Sequence, residues 1–258
     1  MAPVRLNHRF DGPADGPVVV LASAVGTTAE VWDPIVSAFA ERHRILRYDH
    51  RGHGGSPAPP GPYAMADLAG DLLDLLDAHA IDRASLCGLS IGGMVALRLA
   101  IDEPARVDRL VLMCTSAAPG NEGRWRARAA AVRAGGLEPV ADEIMARWAT
   151  PGFIRRDPPG WARLRAAFCA NDPEGYASCC DAIRTFDVAA RLPEIAAPTL
   201  VIGADLDEGL PLDHQERLHT GIPGSTLAVV EGAAHIPLLD QPTEVARLVE
   251  DSLRIPAA

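Results

Sequence analysis

Apolar residues along this chain gather into short, separated runs. PVVVLAS (17–23), HRILRYD (43–49), RASLCGLS (83–90), RLVLMCTS (109–116), PTLVIGAD (198–205) and STLAVVEG (225–232) each hold a compact core of Val, Ile and Leu with Gly, Pro or Asp nearby. Runs of this length and composition predict strands buried on both faces. Between them the period changes. MADLAGDLLDLLDAHAI (65–81) places leucines at helical spacing with aspartates on the opposite face. IGGMVALRLAIDEP (91–104) predicts a helix that stops before Pro104. Strands alternating with helices predict an α/β domain: a mostly parallel sheet with helices on both faces and its sites at the carboxyl ends of the strands.

From about residue 118 to 190 the rhythm breaks. NEGRWRARAAAVRAGG, EPVADEIMARWATPGF, GWARLRAAFCAND and EGYASCCDAIRTFD are helix-like, with no strand run among them. A helical block set between two strand–helix units predicts a cap over the strand ends. The expected division is therefore core at 1–117, helical cap at 118–190, and the rest of the core at 191–258. SPAPPGP (56–62) reads as a rigid loop within the core, because the strand–helix rhythm continues on both sides.

Composition narrows the classes. The 258 residues carry a net charge of −10, which argues against a duplex nucleic-acid surface. All 24 basic residues are arginine, so Schiff-base chemistry on lysine is excluded. Cys87, Cys114, Cys169, Cys179 and Cys180 are odd in number and lack a C-x-x-C pair. They predict reduced thiols in a cytoplasmic protein rather than a disulfide framework or a zinc site. MAPVRLNHRFDGP lacks a signal-peptide apolar stretch, and no apolar run reaches membrane-span length.

The candidate chemistry centres on CGLSIGG (87–93). Gly88-Leu89-Ser90-Ile91-Gly92 lies where a predicted strand meets a predicted helix, the context in which a G-x-S-x-G turn exposes its serine as a nucleophile. A serine nucleophile needs a base, and the base needs an orienting acid. His235, in VVEGAAHIP just past the last strand, is the expected base; His214 and His219 fall on a helix that reads as exposed, and His53 reads as ordering a turn together with Arg51. Asp205, Asp207 and Glu208 follow the strand at 198–205. Asp207 is the preferred acid and Asp205 the alternative. The oxyanion hole is expected from the N–H of Ile91 and from Val25 in SAVGTTAEVW. Trp32 and Met94 read as core or pocket lining.

Ser90, Asp207 and His235 in this order, together with YDHRGHGGS (48–56), resemble the α/β-hydrolase fold. VGTTAEVWDP (25–34), DHRGHGGSPAPPGPY (49–63), CGLSIGGMVALRLA (87–100), ARWATPGF (146–153) and NDPEGYASCCDAIRTFD (171–187) are more narrowly similar to 3-oxoadipate enol-lactonases, over nearly the whole chain. The resemblance implies a small anionic enol-lactone as substrate and no metal or organic cofactor. It also implies a cation for the substrate carboxylate, for which Arg147 is the candidate, with Trp148 as a pocket wall. The remaining cap arginines, Arg124, Arg126, Arg128 and Arg133, read as a solvated helix face. Ser23 stands where the family usually has Asn, and HIPLLDQP and DEGLP also differ from the family pattern. The same residues would serve a carboxylesterase or lactonase of other specificity, or perhydrolysis; a non-catalytic receptor on this fold is the alternative from another class.

Overall fold

The computed structural model describes residues 4–254. Among the described residues seven strands form one sheet: β1 (His8–Asp11), β2 (Val18–Ala22), β3 (Arg44–Tyr48), β4 (Ala84–Leu89), β5 (Val107–Met113), β6 (Thr199–Ala204) and β7 (Thr226–Val230). Their spatial order is β1-β3-β2-β4-β5-β6-β7. Only β1 runs antiparallel to its neighbour; the others pair in parallel. Every residue of β4 and of β6 is buried, which explains why these strands are continuous apolar runs without alternation.

The six strand runs read from the sequence are all strands. β1 is the addition. Its residues His-Arg-Phe-Asp contain one apolar side chain and are largely half-buried, so an edge strand here carries no hydrophobic signature. Its pairing with β3 supplies what its composition lacks.

The core helices are α1 (Asp33–Val36), α2 (Met65–Ala78) and α3 (Ile91–Asp102). Met65, Leu68, Leu72, Leu75 and Leu76 form the buried stripe of α2, the spacing that puts side chains on one face. α3 is buried almost all round, from Ile91 to Ile101, because it lies against β2, β4 and β5 and under α2.

Five helices then leave the sheet: α4 (Glu122–Gly135), α5 (Ala141–Met145), α6 (Pro151–Arg156), α7 (Pro158–Cys169) and α8 (Pro173–Arg184). Val188 N–H donates to the Ala117 carbonyl at 2.9 Å, so the excursion leaves and rejoins the core at one point. The chain closes with α9 (Leu212–Gly221), α10 (Pro237–Asp240) and α11 (Pro242–Arg254). The buried Asp240 carboxylate accepts from Thr150 N–H (3.1 Å), Thr150 Oγ1 (2.6 Å) and Ala234 N–H (3.0 Å). That pins the α5–α6 connection to the loop after β7. Among the described residues, no helix is long and apolar enough to cross a membrane.

Candidate active site

β4 ends at Leu89 and α3 begins at Ile91, leaving a single residue to reverse the chain. That residue, Ser90, has φ +56°, a conformation that non-glycine residues adopt only where the surroundings impose it. The surroundings are explicit. Ser90 N–H donates to the Met113 carbonyl (2.9 Å), and the Ser90 carbonyl accepts from Thr115 Oγ1 (2.6 Å). A Cβ at Gly92 would collide with the Ala22 carbonyl, and one at Gly88 with the Gly92 carbonyl. The glycines let helix and strands approach closely enough for the turn to hold.

Ser90 Oγ lies 3.0 Å from His235 Nε2. His235 Nδ1 lies 2.8 Å from Asp207 Oδ2, whose side chain is fully buried. Asp207 Oδ1 accepts from Gly209 N–H (2.7 Å) and Leu210 N–H (3.0 Å), so the DEGLP loop supplies the donors that orient the acid. With Oδ2 facing Nδ1, the imidazole carries its proton there and offers Nε2 as acceptor to the serine hydroxyl. Asp205 is turned elsewhere: it is exposed and accepts from Ala233 N–H (3.3 Å).

His235 is also held from the cap. Its N–H donates to the Arg147 carbonyl (3.2 Å), and Ile236 N–H donates to the Trp148 carbonyl (2.8 Å). Arg147 and Trp148 therefore touch the site through their backbones as well as their side chains. Both residues line a cavity together with Ser90, His235, Val25 and Met94. Trp148 is buried, edge-to-face with Phe168 at 5.5 Å. Trp32 belongs to the core, with Nε1 donating to Ser23 Oγ.

Two expectations are corrected. Arg124 and Arg128 are not a solvated face; they line the same cavity as Arg147. They stand at i and i+4 of α4 and flank Trp125, with their guanidinium carbons 5.7 and 4.9 Å from its ring. Their helix neighbours do take carboxylate partners, Arg126 with Glu122 and Arg133 with Glu174 and Asp181. Among the described residues no carboxylate lies within ion-pair distance of Arg124, Arg128 or Arg147. Burial, then the charges of Arg128 and Arg147, lower the pKa of Arg124. A period-four pair on a helix flanking an aromatic was the available signal, but nothing local says which face meets the cavity.

The second correction is His214. It is half-buried, with Nδ1 2.8 Å from Ser116 Oγ, and burial lowers its pKa. His219 is exposed as expected.

Two further histidines support the loop after β2. His50 Nε2 donates to the Ser23 carbonyl (3.0 Å), and His53 Nε2 accepts from Gly26 N–H (2.8 Å). Burial lowers both pKa values, that of His50 to about 3 with the help of its neighbour His53. Both rings are thus neutral, which His53 requires in order to accept. Val25 N–H, on the loop they hold, has no protein acceptor among the described residues. Ile91 opens α3, where a backbone N–H has no intrahelical acceptor.

The sequence profile of the alpha/beta hydrolase fold matches residues 17–242. 3-Oxoadipate enol-lactonase 2 of Acinetobacter baylyi is 37% identical over 96% of this chain and 92% of its own. A protein of Variovorax paradoxus, provisionally named a carbamate hydrolase (RutD), is also 37% identical, over 89% of each chain. The crystal structure of the enol-lactonase from Burkholderia xenovorans LB400 superposes with a TM-score of 0.96 at 36% identity, covering 98% of this chain and 97% of that one. The chain belongs to the α/β-hydrolase family, and within it to the 3-oxoadipate enol-lactonase group of carboxylic-ester hydrolases.

Proposed function

We propose that the protein opens a small anionic enol-lactone, 3-oxoadipate enol-lactone, through an acyl-enzyme on Ser90. The carrying observation is the set of three cavity arginines, Arg124, Arg128 and Arg147, none with a carboxylate in ion-pair range and all beside Ser90 and His235. Like charges at i and i+4 repel, and a planar guanidinium grips a carboxylate with two hydrogen bonds. An anion in the cavity turns that repulsion into attraction.

Ser90 Oγ attacks the lactone carbonyl while His235 Nε2 takes its proton, and Asp207 stabilises the imidazolium that forms. Val25 and Ile91 N–H groups receive the oxyanion. Collapse breaks the ring C–O bond. The leaving enolate takes its proton from His235 and becomes the ketone, still tethered as the acyl group. Water then attacks the acyl carbonyl with His235 as base, and its second collapse frees Ser90 and a new carboxylate.

A carbamate substrate is the second reading, supported by the Variovorax relative at equal identity. The test measures turnover of the enol-lactone, of p-nitrophenyl acetate and of a small carbamate by the protein and by Ser90→Ala. Efficient enol-lactone opening that the substitution abolishes supports the proposal. Carbamate or ester turnover without enol-lactone turnover overturns the substrate, and activity that survives in Ser90→Ala overturns the mechanism.

A further inference from the structure

The peptide that carries Val25 N–H is anchored at its other end. The Ala24 carbonyl, on the same peptide plane, accepts from Thr27 N–H (3.1 Å) and Thr27 Oγ1 (2.8 Å). In a trans peptide the N–H points opposite to the C=O, so holding the Ala24 oxygen toward Thr27 aims Val25 N–H away from it. The flanking peptides are fixed as well. His50 holds the Ser23 carbonyl, and His53 takes Gly26 N–H. One peptide further along, the Gly26 carbonyl accepts from Asn171 Nδ2 at 3.0 Å.

Asn171 comes from the cap. It lies two residues past the end of α7 and is 4% exposed. Its Nδ2 also donates to the Phe168 carbonyl (3.0 Å), and its Oδ1 accepts from Gly54 N–H (2.9 Å). One amide thus joins three strands of chain: the cap, the 50–54 loop and the loop after β2. Packing reinforces the junction. Gly26 has φ +86°, and a Cβ there would stand 2.8 Å from the Phe168 ring, so the loop seats against the cap as closely as a glycine allows.

We propose that Asn171 is a positioning residue for the oxyanion hole: by holding the Gly26 carbonyl from the cap, it keeps Val25 N–H aimed at the reacting carbonyl. This rests on the reading that Val25 N–H receives the oxyanion. The cap then has two duties, recognition of the substrate anion through its arginines and orientation of a backbone donor on the core.

The test compares Asn171→Asp, which keeps the acceptor for Gly54 but loses both donations, with Asn171→Ala and the parent protein. The readouts are kcat and KM for p-nitrophenyl acetate, inhibition by phenylboronic acid, which forms a tetrahedral adduct on a serine, and inhibition by adipate, which draws on the arginines alone. Complete loss of one oxyanion donor typically costs about 100- to 1000-fold in rate; a misaligned donor is expected to lower kcat about 10- to 100-fold, with KM and adipate inhibition little changed. Boronate inhibition should weaken in parallel with kcat. If kcat and boronate inhibition hold in either variant at unchanged thermal stability, the proposal is overturned. If adipate inhibition falls along with kcat, Asn171 merely maintains the cap, and the proposal is equally overturned. Ser90→Ala in the same assay separates the two levels: residual turnover there would sink the serine mechanism itself, whatever Asn171 does.

Discussion

Two regions face each other across Ser90, and they are built by different rules. The sheet edge places Ser90, Asp207 and His235 with backbone constraints: a positive φ at Ser90, close-packed glycines at 88 and 92, and loop N–H groups on the Asp207 carboxylate. The cap offers long arginine side chains on a helix whose other arginines are paired with acids. The edge is rigid and suited to chemistry that tolerates little misplacement. The cap presents charge on flexible stems and suits recognition. Changes at the edge should therefore strike kcat, and changes at the cap arginines should strike KM and selectivity; Asn171, which reaches from the cap to the loop after β2, belongs with the edge in this respect.

The largest expected effect lies at the edge. Asp207→Asn leaves the packing intact but favours the wrong imidazole tautomer, so kcat is expected to fall about 10⁴-fold with KM for a neutral ester nearly constant. A comparable rise in KM would erase the distinction between the regions. Next comes the cap. Arg124→Gln with Arg128→Gln removes two charge-assisted contacts worth about 1.5–3 kcal/mol each, so KM for the anionic lactone should rise at least about 100-fold while kcat on p-nitrophenyl acetate holds. Equal losses on both substrates would show that these arginines support the fold rather than the anion.

Smaller effects concern stability. Gly92→Ala drives a methyl into the Ala22 carbonyl, and overpacking of this kind costs about 1–3 kcal/mol, read as a fall in the thermal midpoint. Gly123→Ala, on α4 where a Cβ meets nothing, should show no such loss, so equal shifts would contradict the close-packing account of the elbow. Last is the pH response of the loop after β2. His50 is held at about 3 and His53 is also lowered by burial, whereas in the unfolded chain each titrates near 6.5. Below that value the unfolded state binds more protons than the folded one, so stability is full above about pH 6.5 and falls as pH drops, by about 1.4 kcal/mol per unit for His50, with His53 adding in the same direction. Urea unfolding at pH 7, 6 and 5 measures the slope, and His50→Asn should reduce it; an unchanged slope would remove His50 from the account.

Local chemistry made the edge legible. The strand runs, the serine between glycines and the histidine after the last strand are short-range signals, because strand burial and a strained elbow restrict which residues can stand there. The acid was narrowed to one loop but not settled by spacing; Asp207 faces His235 because the loop folds its own N–H groups around that carboxylate, while Asp205 turns to Ala233. β1 was silent because an edge strand draws on its partner rather than on its own apolar content.

What the sequence by itself determined is the class of the fold and the identity of its reactive groups, since both follow from periodicity and from turn chemistry within a few residues. What only the tertiary structure decided is which arginines of α4 meet the cavity, and that Asn171 reaches the loop bearing Val25. Both depend on how the cap lies on the sheet. Arg124 and Arg126 are two positions apart, yet one lines the cavity and the other pairs with Glu122; Asn171 and Gly26 are 145 positions apart, yet share a hydrogen bond. A helix's face and a long-range contact are set by packing between elements, and the local pattern does not encode it.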